Sequence, residues 1–260
     1  MPRQHIVVFF YTYRKSIPWE LIFSHSSDTL SHMTPGTLSI VATPIGNLLD
    51  ITERALTTLR EVDLILCEDT RVTKNLLTRY GIETPTESYH QHSDQKKLNK
   101  IIQNLNEGKH LALVTDAGTP GISDPGNRLI EELRLKIKDC LIVSLPGPSA
   151  VVSALSISGF PTDKFLFLGF PPHKKGRQMF FQEVADAKYT VAFYESNHRI
   201  KKALQSLSGV LDAKQQICVC RELTKKFETV YRGTIVEILE KDVSEKGEFV
   251  IVVAPVRDHR

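Results

Sequence analysis

Three short segments rich in glycine, proline and small polar residues follow apolar runs in the first part of the 260-residue chain. They are Thr43–Asn47, Asp116–Gly126 and Pro146–Ala150. Glycine lets a backbone approach a ligand closely, proline stiffens a loop, and a helix that starts just after such a loop offers free amides to polar or anionic groups. Any one of these loops reads as an ordinary tight turn, but three in one domain predict a ligand site.

Signatures of several common enzyme classes are missing from the sequence. It has no Gly-x-Gly-x-x-Gly dinucleotide fingerprint, no Gly-x₄-Gly-Lys-Ser/Thr phosphate loop, no Gly-x-Ser-x-Gly elbow and no His-Glu-x-x-His zinc site. The sequence therefore lacks the residues that usually carry out hydride transfer, nucleotide hydrolysis and serine hydrolysis. Loops with a carboxylate and small residues, but without a phosphate cradle, suit a ligand that carries hydroxyls and an adenine but no triphosphate.

The four cysteines have neither the number of a disulfide scaffold nor the spacing of a zinc site. We interpret them as reduced thiols of a cytoplasmic protein, and we expect Cys218 and Cys220, on a predicted strand, to face opposite ways. The longest apolar run, Ile6–Tyr11, is six residues long against the roughly 20 that a membrane helix needs. We expect neither a membrane span nor a metal site.

From residue 37 onward, apolar runs of strand length alternate with segments of helical spacing. The predicted strands lie at 37–43, 63–67, 110–115 and 140–145, and then at 165–170, 190–194, 216–221, 228–232 and 248–254. Alternation in the first set is typical of a parallel sheet covered by helices on both faces, whereas strands dominate the second set. We predict an α/β protein with two α/β domains, the first with a mostly parallel sheet and the second with a mixed sheet and helices.

The domain boundaries follow from the same pattern. Residues 37–159 form the predicted N-terminal domain that carries the loops, and residues 160–260 form a C-terminal domain that completes the cleft. Residues 1–36 show no steady period and are interpreted as a disordered leader or an upstream extension of the reading frame, with Met33 as the working start. The net charge is +3, and its surplus lies in residues 161–260, a weak indication of a polyanionic partner there.

Five long motifs carry a family resemblance that runs in register from about residue 36 to 255. They are Gly36–Thr52, Cys67–Arg71, Asp116–Gly126, Pro146–Ala150 and Arg221–Lys225. These segments resemble the bacterial 16S ribosomal RNA (cytidine-2′-O)-methyltransferases of the tetrapyrrole methylase superfamily. The resemblance implies two α/β domains of the tetrapyrrole methylase type with S-adenosylmethionine between them, a homodimer, and a cytidine of the ribosomal decoding centre, in 16S ribosomal RNA or the small ribosomal subunit, as methyl acceptor.

Candidate cofactor residues lie in the three loops and in the second domain. Asp116, with backbone groups of Ala117 and Gly118, is our choice for the polar end of the cofactor, and Ile122 is a candidate apolar wall. The remaining candidates are Thr43, Pro44, Ile45 and Gly46 after the first strand, Ser149 and Ala150 at a helix start, and, by superfamily analogy, Tyr194, Leu223, Ala254 and Pro255.

Methyl transfer to a ribose hydroxyl needs alignment, which can supply roughly 7–11 kcal/mol, and gains about 10²–10⁴-fold from a general base. The candidates for a catalytic base are Glu68, Asp69, Glu195 and His198, with His90 and His92 as weaker ones. Glu68 and Asp69 directly follow a strand end, but they could equally form a structural ion cluster with Arg71. The sequence does not choose among these residues, and positioning alone could suffice.

Cations that could bind RNA phosphates cluster in the Pro171–Arg177 loop. Lys174, Lys175 and Arg177 are the main candidates, and Arg71 and Arg199 are further ones. Two other functions stay open: C-methylation of a porphyrin-like ring, as elsewhere in the superfamily, and a non-catalytic RNA-binding role in ribosome assembly. The cation-rich loop favours RNA only modestly, since porphyrin carboxylates also attract cations, whereas intact cofactor loops argue against a non-catalytic protein.

Overall fold

The computed structural model describes residues 36–90 and 95–256, and these residues form two five-stranded sheets with helices. The predicted leader, apart from Gly36, and the candidate base His92 lie outside the described residues. The first sheet comes from the chain up to residue 145 and the second from residue 165 onward. The predicted α/β class, with a parallel sheet followed by a mixed one, is confirmed.

The first sheet is parallel throughout. Its strands are β1 (Thr37–Val41), β2 (Leu64–Cys67), β3 (Thr86–Ser88), β4 (His110–Leu113) and β5 (Leu141–Leu145), in the order β3-β2-β4-β1-β5. β1 lies between β4 and β5, with Thr37 opposite both His110 and Leu141. Since helices cover both faces, the inner strands are nearly continuous apolar runs.

Helices cover this sheet on both faces, as the alternating pattern predicts. α1 (Glu53–Glu61) and α2 (Thr70–Arg79) contribute to one apolar cluster, and α3 (Gln95–Asn106) and α4 (Asn127–Lys136) to another. α1 begins at Thr52 because the side chain of that residue accepts a hydrogen bond from the Ala55 amide. Asp69 caps α2 in the same way by accepting from the Arg71 amide, so a candidate catalytic carboxylate also starts a helix.

The second sheet is mixed. Its strands are β6 (Phe165–Phe167), β7 (Thr190–Glu195), β8 (Gln216–Arg221), β9 (Thr229–Thr234) and β10 (Phe249–Val253), in the order β6-β7-β10-β8-β9. β6 and β7 are parallel, whereas β10 runs antiparallel to both of its neighbours and places Phe249 opposite Glu195 and Arg221. The amino end of β10 therefore lies beside the carboxyl ends of β7 and β8.

Four helices pack on the second sheet. α6 (Arg177–Asp186), α7 (Ile200–Ser208) and α8 (Ile235–Glu240) share one apolar cluster with it, and α5 (Ala150–Ser158) covers the opposite face. α5 ends at Gly159, whose φ of 80° is a left-handed conformation that glycine adopts without strain. α5 belongs to the N-terminal domain in the sequence prediction, yet it packs on the second sheet.

The sequence pattern misses β3 and α8. Three residues in β3 and six in α8 are too few to show a period. For α8 a usable signal exists, because Thr234 and Glu237 form a reciprocal capping box at its start.

Cys218 and Cys220 lie on one face of β8. Both are buried, and their sulfur atoms are 3.7 Å apart. The expectation that the two thiols face opposite ways is wrong, because residues two apart on a strand share a face. All four cysteines are free thiols.

Candidate active site

A cavity of about 290 Å³ lies where the loops of the first sheet meet the edge of the second. Its wall is formed by the loops after β1, β4 and β5, the start of α5, the ends of β7 and β8, and the start of β10. Its size is close to the lower end of the range for small-molecule pockets, and the strand ends place it where open α/β sheets bind ligands.

Hydrogen bonds hold the three loops of the first sheet together. The backbones of Thr43 and Gly118 exchange two hydrogen bonds, of 2.9 and 3.0 Å. The Thr43 hydroxyl also donates to the Thr115 carbonyl at 2.9 Å, and the Thr119 hydroxyl donates to the Pro148 carbonyl at 3.1 Å. The structure thus brings together the three segments that the sequence singles out.

The loop that follows β8 closes the cavity from the other side. The Asn47 amide donates to the Thr224 hydroxyl at 3.0 Å, which ties the first loop to this one. Gly46 fits under the same loop, because a Cβ there would overlap the Lys225 side chain and lie 2.8 Å from the Thr224 hydroxyl oxygen. Glu222 and Thr224 both have positive φ angles, of 52° and 66°. Such angles are strained for residues other than glycine, so this loop is held in an unusual shape beside the cavity.

Tyr194 joins the apolar wall to the start of α5. Its ring packs edge-on against Phe167 and Phe170, with centroids 4.9 and 5.3 Å apart. Its hydroxyl accepts a hydrogen bond from the Val151 amide, and burial raises the pKa of the phenol. Ser149, the residue before α5, makes no capping hydrogen bond with its own side chain.

Two glutamates in the wall share one lysine. Lys225 Nζ lies 3.1 Å from Glu222 Oε1 and 2.8 Å from Glu248 Oε2. Burial lowers the pKa of Lys225, but the hydrogen bonds that the lysine donates to these glutamates outweigh burial and raise it, so the lysine stays charged. The cluster joins the loop after β8 to the residue before β10.

Glu195 lies at the end of β7 between two arginines. Its side chain is fully buried, with Arg177 Nη2 3.0 Å from Oε2 and Arg199 Nε 3.4 Å from Oε1. The same arginines donate to the carbonyls of Pro171 and Pro172, at 2.6 Å for Arg199 on Pro171. The ion triad therefore fixes the backbone of the basic loop.

Asp124 also lines the cavity, and it lies in the long loop after β4. Burial, its principal cause, together with the charges of Glu68 and Asp116, raises its pKa from the ordinary 3.8 to about 6, against a hydrogen bond from Thr115. The Thr115 hydroxyl is also 3.3 Å from Glu68 Oε2, so one hydroxyl lies between two carboxylates. An acidic group with a pKa so near neutrality can exchange a proton at physiological pH.

A family model described as Tetrapyrrole (Corrin/Porphyrin) Methylases matches residues 37–239. The chain belongs to the tetrapyrrole methylase family. It is a methyltransferase, and its two sheets are those of this fold.

Curated relatives in this family extend over most of the chain. A protein of Vibrio cholerae named ribosomal RNA small subunit methyltransferase I is 46% identical over 226 residues, covering 85% of this chain and 78% of that one. A protein of the same name from Escherichia coli O157:H7 is 43% identical over 223 residues, which cover 84% of this chain and 77% of that one.

Solved structures share the fold of this tetrapyrrole methylase at low identity. Diphthine synthase superposes with a TM-score of 0.65 at 14% identity, covering 84% of this chain and 90% of that one. The methyltransferase CobJ gives a TM-score of 0.63 at 17% identity, covering 86% and 96%.

Most of the predicted cofactor residues of this tetrapyrrole methylase surround the cavity. Ile45, Ala117, Gly118, Ile122, Ser149, Ala150, Tyr194 and Leu223 line it directly. Thr43, Pro44 and Gly46 belong to the same loop as Ile45 but do not line the cavity. Asp116 is exposed beside Ala117, and its Oδ1 accepts from the Asp69 amide at 3.0 Å.

Ala254 and Pro255 do not lie at the cavity. They follow the carboxyl end of β10, whereas Phe249 and Val250 at its amino end line the cavity. At about 3.4 Å per residue, the length of β10 puts Ala254 roughly 17 Å from Phe249. Superfamily analogy predicts both residues as cofactor contacts, and the structure does not bring them to the cavity because the last strand runs antiparallel to its neighbours.

The surroundings of the predicted catalytic residues differ from one another. Arg71 bonds to Asp69 and lowers the pKa of that carboxyl to about 2, so Asp69 is a poor proton acceptor that caps a helix. Glu195 is buried in the ion triad. Glu68 is half-buried behind the cavity wall and accepts from Thr115.

The histidine candidates lie elsewhere. His198 is exposed, has a φ of 50° and does not line the cavity. His90 is exposed and is likewise absent from the lining residues. Asp124, which the sequence pattern does not single out within the Asp116–Gly126 segment, has the more favourable position.

The predicted RNA-contacting cations fall into two groups. Lys174 and Lys175 are exposed at the tip of the basic loop. Arg177 and Arg199 have side chains only 17% and 20% exposed, because they bind Glu195 and the loop backbone. The Arg71 side chain is 88% exposed and pairs with Asp69.

Within residues 36–90 and 95–256, no three His, Cys, Asp or Glu side chains are grouped so that they could hold a metal ion. None of the helices in these ranges combines the length and the apolar character that crossing a membrane requires.

Proposed function

We propose that this tetrapyrrole methylase transfers a methyl group from S-adenosylmethionine to the ribose 2′-hydroxyl of a decoding-centre cytidine in 16S ribosomal RNA. The observation that carries the proposal is the 41–46% identity, over 84–86% of the chain, to proteins named ribosomal RNA small subunit methyltransferase I. The cavity and its loops agree with that activity.

The residues at the cavity suit the parts of S-adenosylmethionine. Ile45, Leu223 and Val250 offer an apolar surface for an adenine ring, and all three are buried. The backbone of residues 117–119 and the exposed Asp116 offer polar groups for the hydroxyls and the amine. When bound, S-adenosylmethionine supplies a methyl group on a positively charged sulfur.

The chain itself contributes alignment and exclusion of water. Hydrogen bonds between the loops after β1, β4 and β5 fix the wall on one side, and the strained loop after β8 closes the other. In such a rigid cleft the acceptor oxygen can be held in line with the methyl group, which is worth roughly 7–11 kcal/mol when the alignment is good. No covalent step on the protein is required.

Lys174 and Lys175 are the proposed contacts to RNA phosphates. The ion triad under the basic loop holds its backbone, so both side chains extend from a fixed support. Arg177 and Arg199 act as positioning residues for this loop, and the exposed Arg71 remains a further candidate contact. The target cytidine of a folded RNA must be turned out of its stack to reach the cavity.

A homodimer in the cytoplasm is part of the proposal, and it derives from the family resemblance. Sedimentation velocity on the purified protein tests the first point, with a mass twice that of the chain as the expected result. In the assay that follows, C-methylation of a porphyrin-like ring predicts a methyl group on carbon, and a non-catalytic assembly role predicts no methylated product.

The decisive assay uses small ribosomal subunits from bacteria that lack this gene. Purified protein and S-adenosylmethionine are added, and the RNA is digested and mapped by mass spectrometry. We expect one new methyl group on the ribose of a single cytidine. An RNA that gains no methyl group, while a porphyrin-like substrate gains one on carbon, would refute the proposal in favour of the first rival.

The basic loop is tested by a double variant. Lys174→Ala/Lys175→Ala should weaken RNA binding and lower the slope of log affinity against log salt by about 0.7 for each phosphate of single-stranded RNA that the protein no longer neutralises. Lys138→Ala/Lys214→Ala, which removes two exposed lysines from other surfaces, serves as the matched control. An unchanged salt slope in the first variant would remove the loop from the RNA site.

A further inference from the structure

Four carboxylates line the cavity, and three of them are neutralised by cations. Glu195 lies between Arg177 and Arg199, and Glu222 and Glu248 share Lys225. Asp124 is the fourth, and no Lys, Arg or His among the described residues lies within ion-pair distance of it. It is therefore the lining carboxylate with the greatest tendency to take up a proton.

The groups that face Asp124 are acidic or neutral. Glu68 follows β2, Asp116 follows β4, and both raise the proton affinity of Asp124 by their negative charge. Thr115 donates a hydrogen bond to it, and Tyr194, from β7, faces it across the cavity with a phenol that stays protonated because burial raises its pKa. These surroundings leave Asp124 ionised above pH 6 but poorly solvated, which is the state of an efficient general base.

We infer that Asp124 is the general base that removes the proton from the acceptor hydroxyl. In this step the acceptor oxygen forms a bond to the methyl carbon, the carbon–sulfur bond of the donor breaks with its electron pair left on sulfur, and the hydroxyl proton passes to the Asp124 carboxylate. The inference rests on the proposed function, because it requires a hydroxyl as the acceptor. A carbon acceptor would give up its proton from carbon instead.

Glu68 has a supporting role in this arrangement. Its Oε2 lies 3.3 Å from the Thr115 hydroxyl, whose single proton can go to Glu68 or to Asp124. A proton gained by Asp124 relieves the repulsion between the two carboxylates, so Glu68 acts as a positioning residue that favours proton transfer. Neutralising Glu68 should shift the midpoint of the pH dependence of the reaction but leave the pH dependence in place.

The experiment measures methyl transfer to small ribosomal subunits under single-turnover conditions from about pH 5 to 8.5, and cofactor affinity by calorimetry. The wild-type rate should rise with pH around a midpoint near 6. Asp124→Asn should lower the rate at slightly alkaline pH by about 10²-fold or more, and remove the rise, without changing affinity for S-adenosylmethionine. In Asp124→Glu the rate should still rise with pH, with a shifted midpoint. Added formate should partly restore the rate of Asp124→Ala. Asp163→Asn, on an exposed carboxylate, is the matched control.

Three results would overturn the inference. One is an Asp124→Asn variant that keeps a rate within about fivefold of wild type or keeps the rise with pH. Another is a loss of rate matched by an equal loss of cofactor affinity, which would make Asp124 a binding residue. The third is a wild-type protein that methylates no RNA, which refutes the proposed function and removes the hydroxyl on which this inference depends. Circular dichroism of each variant separates these results from misfolding.

Discussion

Replacing Asp124 by asparagine should stabilise the folded protein at neutral pH and leave its stability unchanged in acid. The pKa of this carboxyl is higher in the folded chain, about 6, than its ordinary 3.8. The folded state therefore binds the proton more tightly than the unfolded chain does. The stabilisation that this provides is fully present below pH 3.8 and is lost as the pH rises through 6. An asparagine cannot ionise, so the variant avoids the loss.

The size of the effect follows from the shift. A rise of about two pKa units corresponds to about 3 kcal/mol at roughly 1.36 kcal/mol per unit. Asp124 is only partly buried, and solvent screening reduces this, so about 1–2 kcal/mol is the expected gain at alkaline pH. For a chain of this length, that gain raises the melting temperature by roughly 2–6 °C. The hydrogen bond from Thr115 can be kept by the asparagine oxygen.

Thermal unfolding of wild type, Asp124→Asn and the control Asp163→Asn at about pH 4, 6 and 8 provides the measurement. The difference in melting temperature between Asp124→Asn and wild type should be near zero in acid and should grow with pH. The difference between Asp163→Asn and wild type should show no such trend. The reasoning would be refuted if Asp124→Asn were less stable than wild type at the highest pH, or if its melting temperature differed from that of wild type by the same amount at every pH. Stability gained by losing a cavity carboxylate is also what a functional site predicts, since such sites are commonly strained.

Other perturbations test the supports of the cavity. Arg177→Ala leaves the buried Glu195 with one guanidinium. It should lower the free energy of unfolding, measured in urea, by about 2–4 kcal/mol, since loss of a partner from a buried pair is costly. A change under about 0.5 kcal/mol would show that the pair does not stabilise the fold. Gly46→Val should weaken binding of S-adenosylmethionine at least tenfold in calorimetry, because the side chain overlaps Lys225; unchanged affinity would separate that contact from the cavity. Thiol titration of the native protein should detect at most one fast-reacting cysteine, the half-buried Cys140, and four after denaturation; two or more fast thiols would contradict the burial.

The ligand loops could be predicted because each one directly follows an apolar strand and precedes a helix. Gly118 and Pro148 bear this out, since both lie in loops that the structure joins by hydrogen bonds. In a parallel sheet the carboxyl ends of strands share one edge, so chain order alone brings such loops together. The place of Ala254 relative to the cavity could not be predicted in this way, because the orientation of β10 depends on pairing with two strands that come earlier in the chain.

The ionic partners at the site could not be predicted from the sequence. Arg177 and Glu195 are 18 residues apart and on different elements, so nothing local indicates that they meet. The choice of Asp124 over Glu68 or Asp69 depends on which carboxylate lines the cavity and lacks a cation in three dimensions. Local sequence shows the type of a residue and its loop, whereas the proton affinity of that residue is set by neighbours from other strands.

The central place of β10 in the second sheet has a consequence for how the protein is made. Residues 249–253 are the last strand among the described residues, yet they pair with both β7 and β8 and supply Phe249 and Val250 to the cavity wall. Until they emerge during synthesis, those two neighbours each present an unpaired edge, which invites association with other chains. The first sheet can form early, but the pocket acquires its full wall only after residue 253 has left the ribosome.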